Sequence, residues 1–308
     1  MCVSAELVVI VHSVYTMNFP YCFVFLVKFI MGIVHENSTV DWPKESQFMY
    51  EPDTVGFDQI YVINLPRRTD RQQRLENVAE KLKLKLSFFE AVDGKKLTHE
   101  KLNKLGIKML PGYREPNTDR PSLTYGEIGC ALTHYYIWED IVMKRFKKAL
   151  ILEDDAAFFP MFRKRWSRIS ADIDEFVPNW DLIYFGRKRM RAYNEKPVNG
   201  TKFVMWPDYS SWAMAYALNG NGARKLLMQK PLTKLIPVDE YIPIMYDKHP
   251  EEKWKQHFSP RDLVAVSVNP LLIEPAWFPG DKKYVSDTEF SPVANITTDN
   301  KHGDSQAM

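Results

Sequence analysis

Three consecutive carboxylates, Glu153, Asp154 and Asp155, directly follow the apolar run 148–152. The run predicts a buried strand that ends in concentrated negative charge. Adjacent carboxylates repel one another, and a hard divalent cation such as Mn²⁺ or Mg²⁺ relieves that repulsion while leaving coordination positions for substrate phosphates. Taken alone, the tripeptide fits a solvated acidic turn better than a metal site, so its surroundings have to decide.

Polar and basic side chains follow the other predicted strands. In an open parallel sheet, ligands bind outside the carboxyl ends of the strands. A cation flanked by guanidinium groups neutralises the charge that grows on a leaving nucleotide diphosphate. We therefore expect Asp155, with Asp154, to bind the metal. The residues expected to bind the nucleotide-diphosphate donor are Asn64, Arg68, Arg71, Asp93, Glu153, Asp154, Arg187 and Lys188.

Phosphate-binding loops of other nucleotide enzymes are missing from the sequence. No Gly-x-Gly-x-x-Gly follows a predicted strand, and there is no Walker loop. Nicotinamide and ATP chemistry are therefore weakly supported, which leaves transfer of a sugar from a nucleotide.

The elements that must position these residues alternate between strands and helices. Residues 58–92 read as strand, helix, strand, which implies a parallel βαβ unit. Thr124 followed by Glu127 forms a capping box that starts a largely buried helix. Further segments are predicted as helix 162–176, strand 180–186, strand 212–218, a helix ending at Met228, strand-rich 263–273, and irregular loops 108–123 and 191–208. The pattern predicts an α/β fold with a mostly parallel central sheet flanked by helices.

Two residues of the helix that starts at Thr124 have the side chains of metal ligands. We expect His134 to be a core histidine rather than a ligand, because we identify no second ligand one helical turn away. Cys130 lies among apolar residues and is expected to be an inert buried thiol. With Cys2 and Cys22, the chain has three widely spaced cysteines, which give neither a disulfide framework nor a zinc pattern.

Composition and hydropathy divide the chain into four parts. The 41 basic residues nearly cancel the 39 acidic ones, which argues against a nucleic-acid partner. Residues 1–34 are an apolar leader. They fit a signal peptide or a membrane anchor, and a mispredicted or truncated N-terminus is the alternative. Residues 35–56 read as a linker, 57–290 as the folded domain and 291–308 as a polar tail. Sequons at Asn37, Asn199 and Asn295 would accept glycans in the secretory pathway.

Several motifs together resemble glycosyltransferase family 25. Those shared across the family are Val62-Ile63-Asn64-Leu65 with Arg67-Arg68, Glu90-Ala91-Val92-Asp93-Gly94, Gly126-Glu127-Ile128-Gly129-Cys130 with Thr133-His134, and Leu152-Glu153-Asp154-Asp155. Those closer to the animal branch, the procollagen galactosyltransferases, include Gly186-Arg187-Lys188-Arg189-Met190, Pro237-Val238-Asp239-Glu240 and Tyr284-Val285-Ser286-Asp287-Thr288-Glu289. The resemblance covers about residues 57–290 in unbroken order.

The resemblance implies a GT-A (Rossmann-like) fold, UDP-galactose as donor, Mn²⁺ as cofactor, hydroxylysine of collagen as acceptor and the endoplasmic reticulum lumen as compartment. It also implies transfer with inversion, which requires a carboxylate as general base. We expect that base to be Asp239 or Glu240, because their apolar segment can raise a carboxylate pKa. A helix cap is the competing interpretation for each of the two.

Two departures from the family pattern leave other functions open. Asn179-Trp180-Asp181 stands where animal members carry Asp-Trp-Asp, and Trp277 stands where relatives often have a histidine. They favour Asp155 as the metal ligand over the second acidic motif. They also keep open an inactive GT-A scaffold used for binding or adhesion, beside a transferase for another sugar or acceptor.

Overall fold

The computed structural model describes residues 51–116, 119–278, 280–282, 284–288, 291–294 and 296. The apolar leader 1–34, most of the linker, two of the three sequons and most of the polar tail lie outside these residues. No helix among the residues described is long and apolar enough to span a membrane.

Ten strands and seven α-helices make up the described part of the chain. The strands are β1 (Gln59–Asn64), β2 (Ser87–Glu90), β3 (Lys148–Glu153), β4 (Ala156–Phe158), β5 (Leu182–Arg189), β6 (Lys196–Pro197), β7 (Val204–Trp206), β8 (Ser210–Asn219), β9 (Ala265–Val268) and β10 (Ile273–Pro275). The helices are α1 (Thr69–Leu82), α2 (His99–Lys104), α3 (Tyr125–Met143), α4 (Phe162–Phe176), α5 (Gly220–Met228), α6 (Val238–Met245) and α7 (Glu252–Lys255). Short 3₁₀ turns lie at Gly94–Lys96, Ala192–Asn194 and Pro231–Thr233.

Eight strands form the central sheet, in the order β2-β1-β3-β8-β5-β9-β7-β6. β1 pairs in parallel with both β2 and β3, as the predicted βαβ unit requires, and β5 pairs in parallel with β9. β8 runs antiparallel to both β3 and β5, and β7 runs antiparallel to β9 and β6. Six of the eight strands therefore point the same way, and the predicted α/β fold with a mostly parallel sheet is confirmed.

Alternation along the strands buries both faces of the sheet. Tyr61 and Ile63 of β1 pack in one apolar cluster with α3, α5 and α6, whereas Ile60 and Val62 pack in a second cluster with α1 and α4. Because successive strand side chains point to opposite faces, strands buried on both sides read as continuous apolar runs. This is the reason the sequence shows runs such as 148–152 rather than strict alternation.

Local signals in the sequence set several helix boundaries. The backbone N–H of Glu127 donates to the Thr124 hydroxyl at 3.0 Å, and the Glu127 carboxylate accepts the Thr124 N–H at 2.6 Å, which confirms the predicted capping box. The helices predicted at 162–176 and up to Met228 end where α4 and α5 end.

The segment 191–208 differs from its prediction as an irregular loop. It contains β6 and β7, which extend the sheet at one edge. These strands have only two and three residues, too few for a periodic apolar pattern to appear in the sequence.

Candidate active site

A cleft with a volume of about 470 Å³ opens at the carboxyl ends of β1 and β3. Side chains from separate elements line it, including those of Arg67, Arg71, Cys130, Glu153, Asp154, Asp155, Lys188, Asp239, Glu240 and Trp277. The sheet topology explains why these side chains lie together. Parallel strands have their carboxyl ends at one edge of the sheet, and the antiparallel β8 begins at that edge.

The second acid of the triplet at the end of β3 is already paired. Asp154 is 7% exposed, and its carboxylate accepts hydrogen bonds from Arg71 at 2.6 Å and from the Asn64 amide at 2.9 Å. Burial raises its pKa, which these two donors partly oppose. The carboxylate is thereby occupied by protein groups.

Asp155 is a carboxylate of the triplet whose side chain has no hydrogen-bond donor among the described residues. Its Oδ1 is buried without a hydrogen-bond partner among the described residues. Burial, followed by the negative charges of Glu153 and Asp154, raises the pKa of Asp155 to about 7. A buried, unpartnered carboxylate oxygen that faces two further acids fits a hard divalent cation, so the residues present suit the Mn²⁺ expected from the sequence.

Four arginines from the start of α1 surround the acids. Arg67 donates to Asp93 and Asp287 at 3.2 and 2.7 Å, and Arg68 donates to Asp287 at 2.8 Å. Arg74, which the sequence analysis did not include among the site residues, donates to the backbone carbonyls of Asp154 and Ala156, both at 2.9 Å. Its spacing of one helical turn after Arg71 was a usable signal.

Trp277 covers two of these arginines. β10 pairs with β4 directly after the acidic triplet, and the N–H of Ala276 donates to the Asp155 carbonyl at 2.7 Å. Trp277 is thereby brought over Arg71 and Arg74, whose guanidinium carbons lie 5.5 and 5.1 Å from the ring centroid. The residue that stands in place of a histidine therefore forms a cation–π stack rather than a metal ligand.

Asp239 and Glu240 both lie in the cleft at the start of α6, and neither caps that helix. The Ser211 hydroxyl donates to Asp239 Oδ2 at 2.8 Å, and the Trp212 N–H donates to the same oxygen at 3.3 Å. Trp212 has a φ of 68°, a left-handed conformation that costs energy for a bulky residue and holds its N–H toward the acid. Burial of the carboxylate, followed by the charge of Glu240, raises the pKa of Asp239 to about 6.

Glu240 has partners of its own. Its Oε2 accepts the Tyr209 hydroxyl at 2.9 Å and lies 2.8 Å from His249 Nε2. His249 Nδ1 accepts the Glu251 N–H at 3.0 Å, so the ring proton sits on Nε2 and is donated to Glu240. Two donors on one oxygen fix the orientation of the Glu240 carboxylate.

The expected donor-binding residues divide into two groups. Asn64, Arg68, Arg71, Glu153, Asp154 and Lys188 lie in the cleft or bind its lining residues, and Asp93 pairs with Arg67 and caps the Gly94–Lys96 turn. Arg187 is not brought to the cleft. It is 4% exposed and donates to Glu195, Ser210 and Ser267 at 2.6 to 2.9 Å, because it faces away from its neighbour Lys188 on β5.

The second acidic motif also lies outside the cleft lining. Asp181 is 1% exposed and accepts from Lys225, Asn221 and the Val264 N–H at 2.7 to 2.9 Å. These bonds join the start of β5 to α5 and to the segment before β9. The hydrogen bonds of Asp181 are thus structural. Asn179, which replaces the first Asp of the family motif, is not among the residues that line the cleft.

His134 differs from its expectation as a satisfied core histidine. Its Nδ1 lies 2.8 Å from the Tyr216 hydroxyl, but its Nε2 is buried without a hydrogen-bond partner among the residues described. The sequence does place a second ligand type, Cys130, one turn earlier on the same helix, contrary to the expectation that no such residue is present. Cys130 is only partly buried and lines the cleft, and burial followed by nearby carboxylates holds its pKa well above the usual thiol value.

The sequence of the chain is similar to those of known proteins. The model of a family described as glycosyltransferase family 25 (LPS biosynthesis protein) matches residues 57–242. A protein of Aedes aegypti named glycosyltransferase 25 family member is 46% identical over 266 residues, which are 83% of this chain and 44% of that protein. Procollagen galactosyltransferase 1-B of Xenopus laevis is 44% identical over 266 residues, 86% of this chain and 43% of that protein. A human protein named inactive glycosyltransferase 25 family member 3 is 44% identical over 240 residues, 78% of this chain and 40% of that protein. The chain therefore spans less than half the length of these relatives.

Proposed function

Because the chain belongs to glycosyltransferase family 25, we propose that it is an inverting, cation-dependent hexosyltransferase that moves galactose from UDP-galactose to hydroxylysine of a collagen-like polypeptide. The observation that supports this most is the meeting of two different carboxylates in one cleft. Asp155 offers an unpartnered oxygen on one side, and Asp239 offers a carboxylate of raised pKa on the other. The Asp155 carboxylate suits binding of a cation, and the Asp239 carboxylate suits acceptance of a proton.

The donor would bind at the Asp155 side. Asp155, through its unpartnered oxygen, would hold the Mn²⁺ ion. When bound, the ion would neutralise negative charge on the diphosphate as it leaves. Arg71 and Lys188 line the same cleft and would contact the phosphates, while the Trp277 ring keeps Arg71 in place. Asp154 would act by orienting Arg71 rather than as a metal ligand, since its oxygens already accept from Arg71 and Asn64.

Asp239 is our choice for the general base over Glu240. Both described donors to Asp239 bind the same oxygen, Oδ2, which leaves Oδ1 for the acceptor hydroxyl. A pKa of about 6 keeps the carboxylate ionised near neutral pH yet basic enough to accept a proton. Glu240, held by Tyr209 and His249, would position the acceptor.

The acceptor and compartment rest on similarity. The Xenopus relative is named a procollagen galactosyltransferase, and a collagen-like acceptor together with the endoplasmic reticulum lumen follows as our proposal for this chain. A membrane partner enters only if the apolar leader is an uncleaved anchor.

A transfer assay tests the proposal. The purified chain is incubated with UDP-galactose and a hydroxylysyl collagen peptide, with and without Mn²⁺. We expect product only with the metal, and loss of product in Asp155→Ala. Full turnover by Asp155→Ala would exclude the assigned metal ligand, and product from UDP-glucose alone would correct the donor.

A second candidate is a scaffold that binds a partner without transferring sugar. Trp277 in the place of a histidine and the relative named inactive favour it. Calorimetry with UDP separates the two, because undetectable binding with Mn²⁺ present would favour the scaffold and measurable binding the enzyme.

A further inference from the structure

Cys130, His134 and Glu153 place three different ligand types at one point of the cleft floor. Their sulfur, nitrogen and oxygen ligand atoms all lie within 4.8 Å of one another. Cys130 and His134 are one turn apart on α3 and so share a face, and Glu153 ends β3 opposite them. The elements that position the donor site therefore also converge on a second cluster.

The buried nitrogen of His134 gives an independent reason to look for a ligand there. Its Nε2 belongs to a fully buried side chain and has no hydrogen-bond partner among the described residues. The nearest carboxylate oxygen, Glu153 Oε1, is 3.7 Å away, too far for a hydrogen bond. Buried polar atoms are rarely left unpaired, so this atom needs an explanation.

We propose that Cys130, His134 and Glu153 form a binding site for Zn²⁺ or a similar borderline divalent metal. Zinc bonds of about 2.0–2.3 Å in a tetrahedron separate ligand atoms by roughly 3.3–3.8 Å. The His134–Glu153 separation of 3.7 Å lies at the upper end of that range, so a small side-chain movement brings both atoms to bonding distance. Thiolate and imidazole donors select zinc over Mn²⁺ and Mg²⁺, so the site differs in chemistry from the oxygen site at Asp155.

The surroundings of His134 suit a metal-bound imidazole. Metal bonding through Nε2 requires the ring proton on Nδ1, which then donates to the Tyr216 hydroxyl at 2.8 Å. The Trp138 indole N–H donates to that hydroxyl at 2.9 Å and fixes it. A hydrogen-bonded second nitrogen is what metal-bound histidines usually have. The Cys130 thiol loses its proton to solvent as the metal–sulfur bond forms.

The fourth coordination position faces the cleft. Cys130 and Glu153 are only partly buried and line the cleft, while His134 closes the site from beneath. Three protein ligands with one open position are typical of zinc sites that bind an exogenous molecule, such as water or a substrate oxygen.

Metal binding by the full-length chain tests the site without relying on activity. All proteins carry Cys2→Ser and Cys22→Ser, so that Cys130 is the single thiol. Zinc affinity is measured by competition with a chromophoric chelator. We expect one tightly bound ion, weakened by more than roughly 100-fold in Cys130→Ser and in His134→Gln, since even outer-shell partners typically contribute 10–100-fold. Asp262→Ala, at an exposed carboxylate outside the cleft lining, should leave zinc affinity unchanged.

Cobalt adds a spectroscopic readout. Co²⁺ bound to the chain should show a thiolate-to-metal charge-transfer band that Cys130→Ser lacks. Melting of the metal-free proteins identifies variants that fail to fold, and Cys130→Ser decides the matter if His134→Gln does not fold. Absence of tight zinc binding, or zinc affinity that depends on Asp155 but not on Cys130, would overturn the proposal.

Discussion

Asp239 combines a raised pKa with hydrogen bonds to only one of its oxygens, and a pH dependence follows from this. A general base must be deprotonated, so kcat/KM should fall as the pH drops below the pKa of about 6. The limiting slope should be about tenfold per pH unit. Asp239→Asn should lower kcat by about 10²–10⁴-fold with little change in UDP affinity. A pH–rate profile and calorimetry with UDP measure the two effects.

Glu240 supplies the control for Asp239. Glu240→Gln removes a neighbouring negative charge, so the pKa of Asp239 and the acidic limb of the profile should move to lower pH. An acidic limb that persists unchanged in Asp239→Asn would assign the base to another group.

The Asp155 carboxylate should lower the stability of the metal-free protein while being required for transfer. Its carboxylate lies beside two others and has an unpartnered buried oxygen. Asp155→Asn removes one charge from this cluster and should raise the unfolding free energy of the metal-free protein, on the order of 1 kcal/mol, while abolishing transfer. Thermal melting in a chelator and the transfer assay measure these effects. Destabilisation by Asp155→Asn would show that the carboxylate has structural partners instead.

At the scale of the elements, Asp181 ties β5 to α5. Asp181→Ala leaves Lys225 without its buried partner and removes the acceptor of the Val264 N–H. We expect a loss of about 2–4 kcal/mol in unfolding free energy, with metal affinity of the intact protein unchanged. Chemical denaturation and metal titration measure the two quantities.

Asp262 is the matched control for Asp181. Its side chain is 56% exposed and lies 3.5 Å from the same Lys225. Asp262→Ala should therefore cost less than about 1 kcal/mol. A loss of metal affinity in Asp181→Ala that Asp262→Ala does not show would return the second acidic motif to a direct role.

The elements also show how far the sequence could predict the structure. Apolar runs and caps located most strands and helices, including α4, because these signals are local. The direction of β8 was not predictable, since an apolar run does not say which strands flank it or which way they run. The same limit applies to the site: Asp155 was found from adjacent charges, whereas the burial of Arg187 depends on Glu195 and Ser267, which reach it only in the fold.

At the scale of the whole molecule, the sequon at Asn199 tests the compartment. Asn199 is exposed in the turn between β6 and β7, so its side-chain amide is accessible to glycosylation. If the chain enters the endoplasmic reticulum lumen, Asn199 should carry a glycan that an endoglycosidase removes. A mobility shift in gels, lost in Asn199→Gln, measures it. If the chain is secreted without a glycan at Asn199, the turn between β6 and β7 is not accessible to the glycosylation machinery, contrary to this prediction.

Three arginines at or just before the start of α1 are already paired with carboxylates in the free protein. Arg67 and Arg68 share Asp287, and Arg71 is paired with Asp154. Under the proposed function Arg71 keeps Asp154 as its partner, whereas a diphosphate that contacts Arg67 or Arg68 would have to replace Asp287. Donor binding would then exchange one anionic partner for another. Because the net change in paired charge is small, ionic strength should affect donor affinity less than three arginines would suggest. The carboxylate of Asp287 released by such an exchange would be a new negative group in the cleft lining, and a basic acceptor peptide would meet it only after the donor has bound.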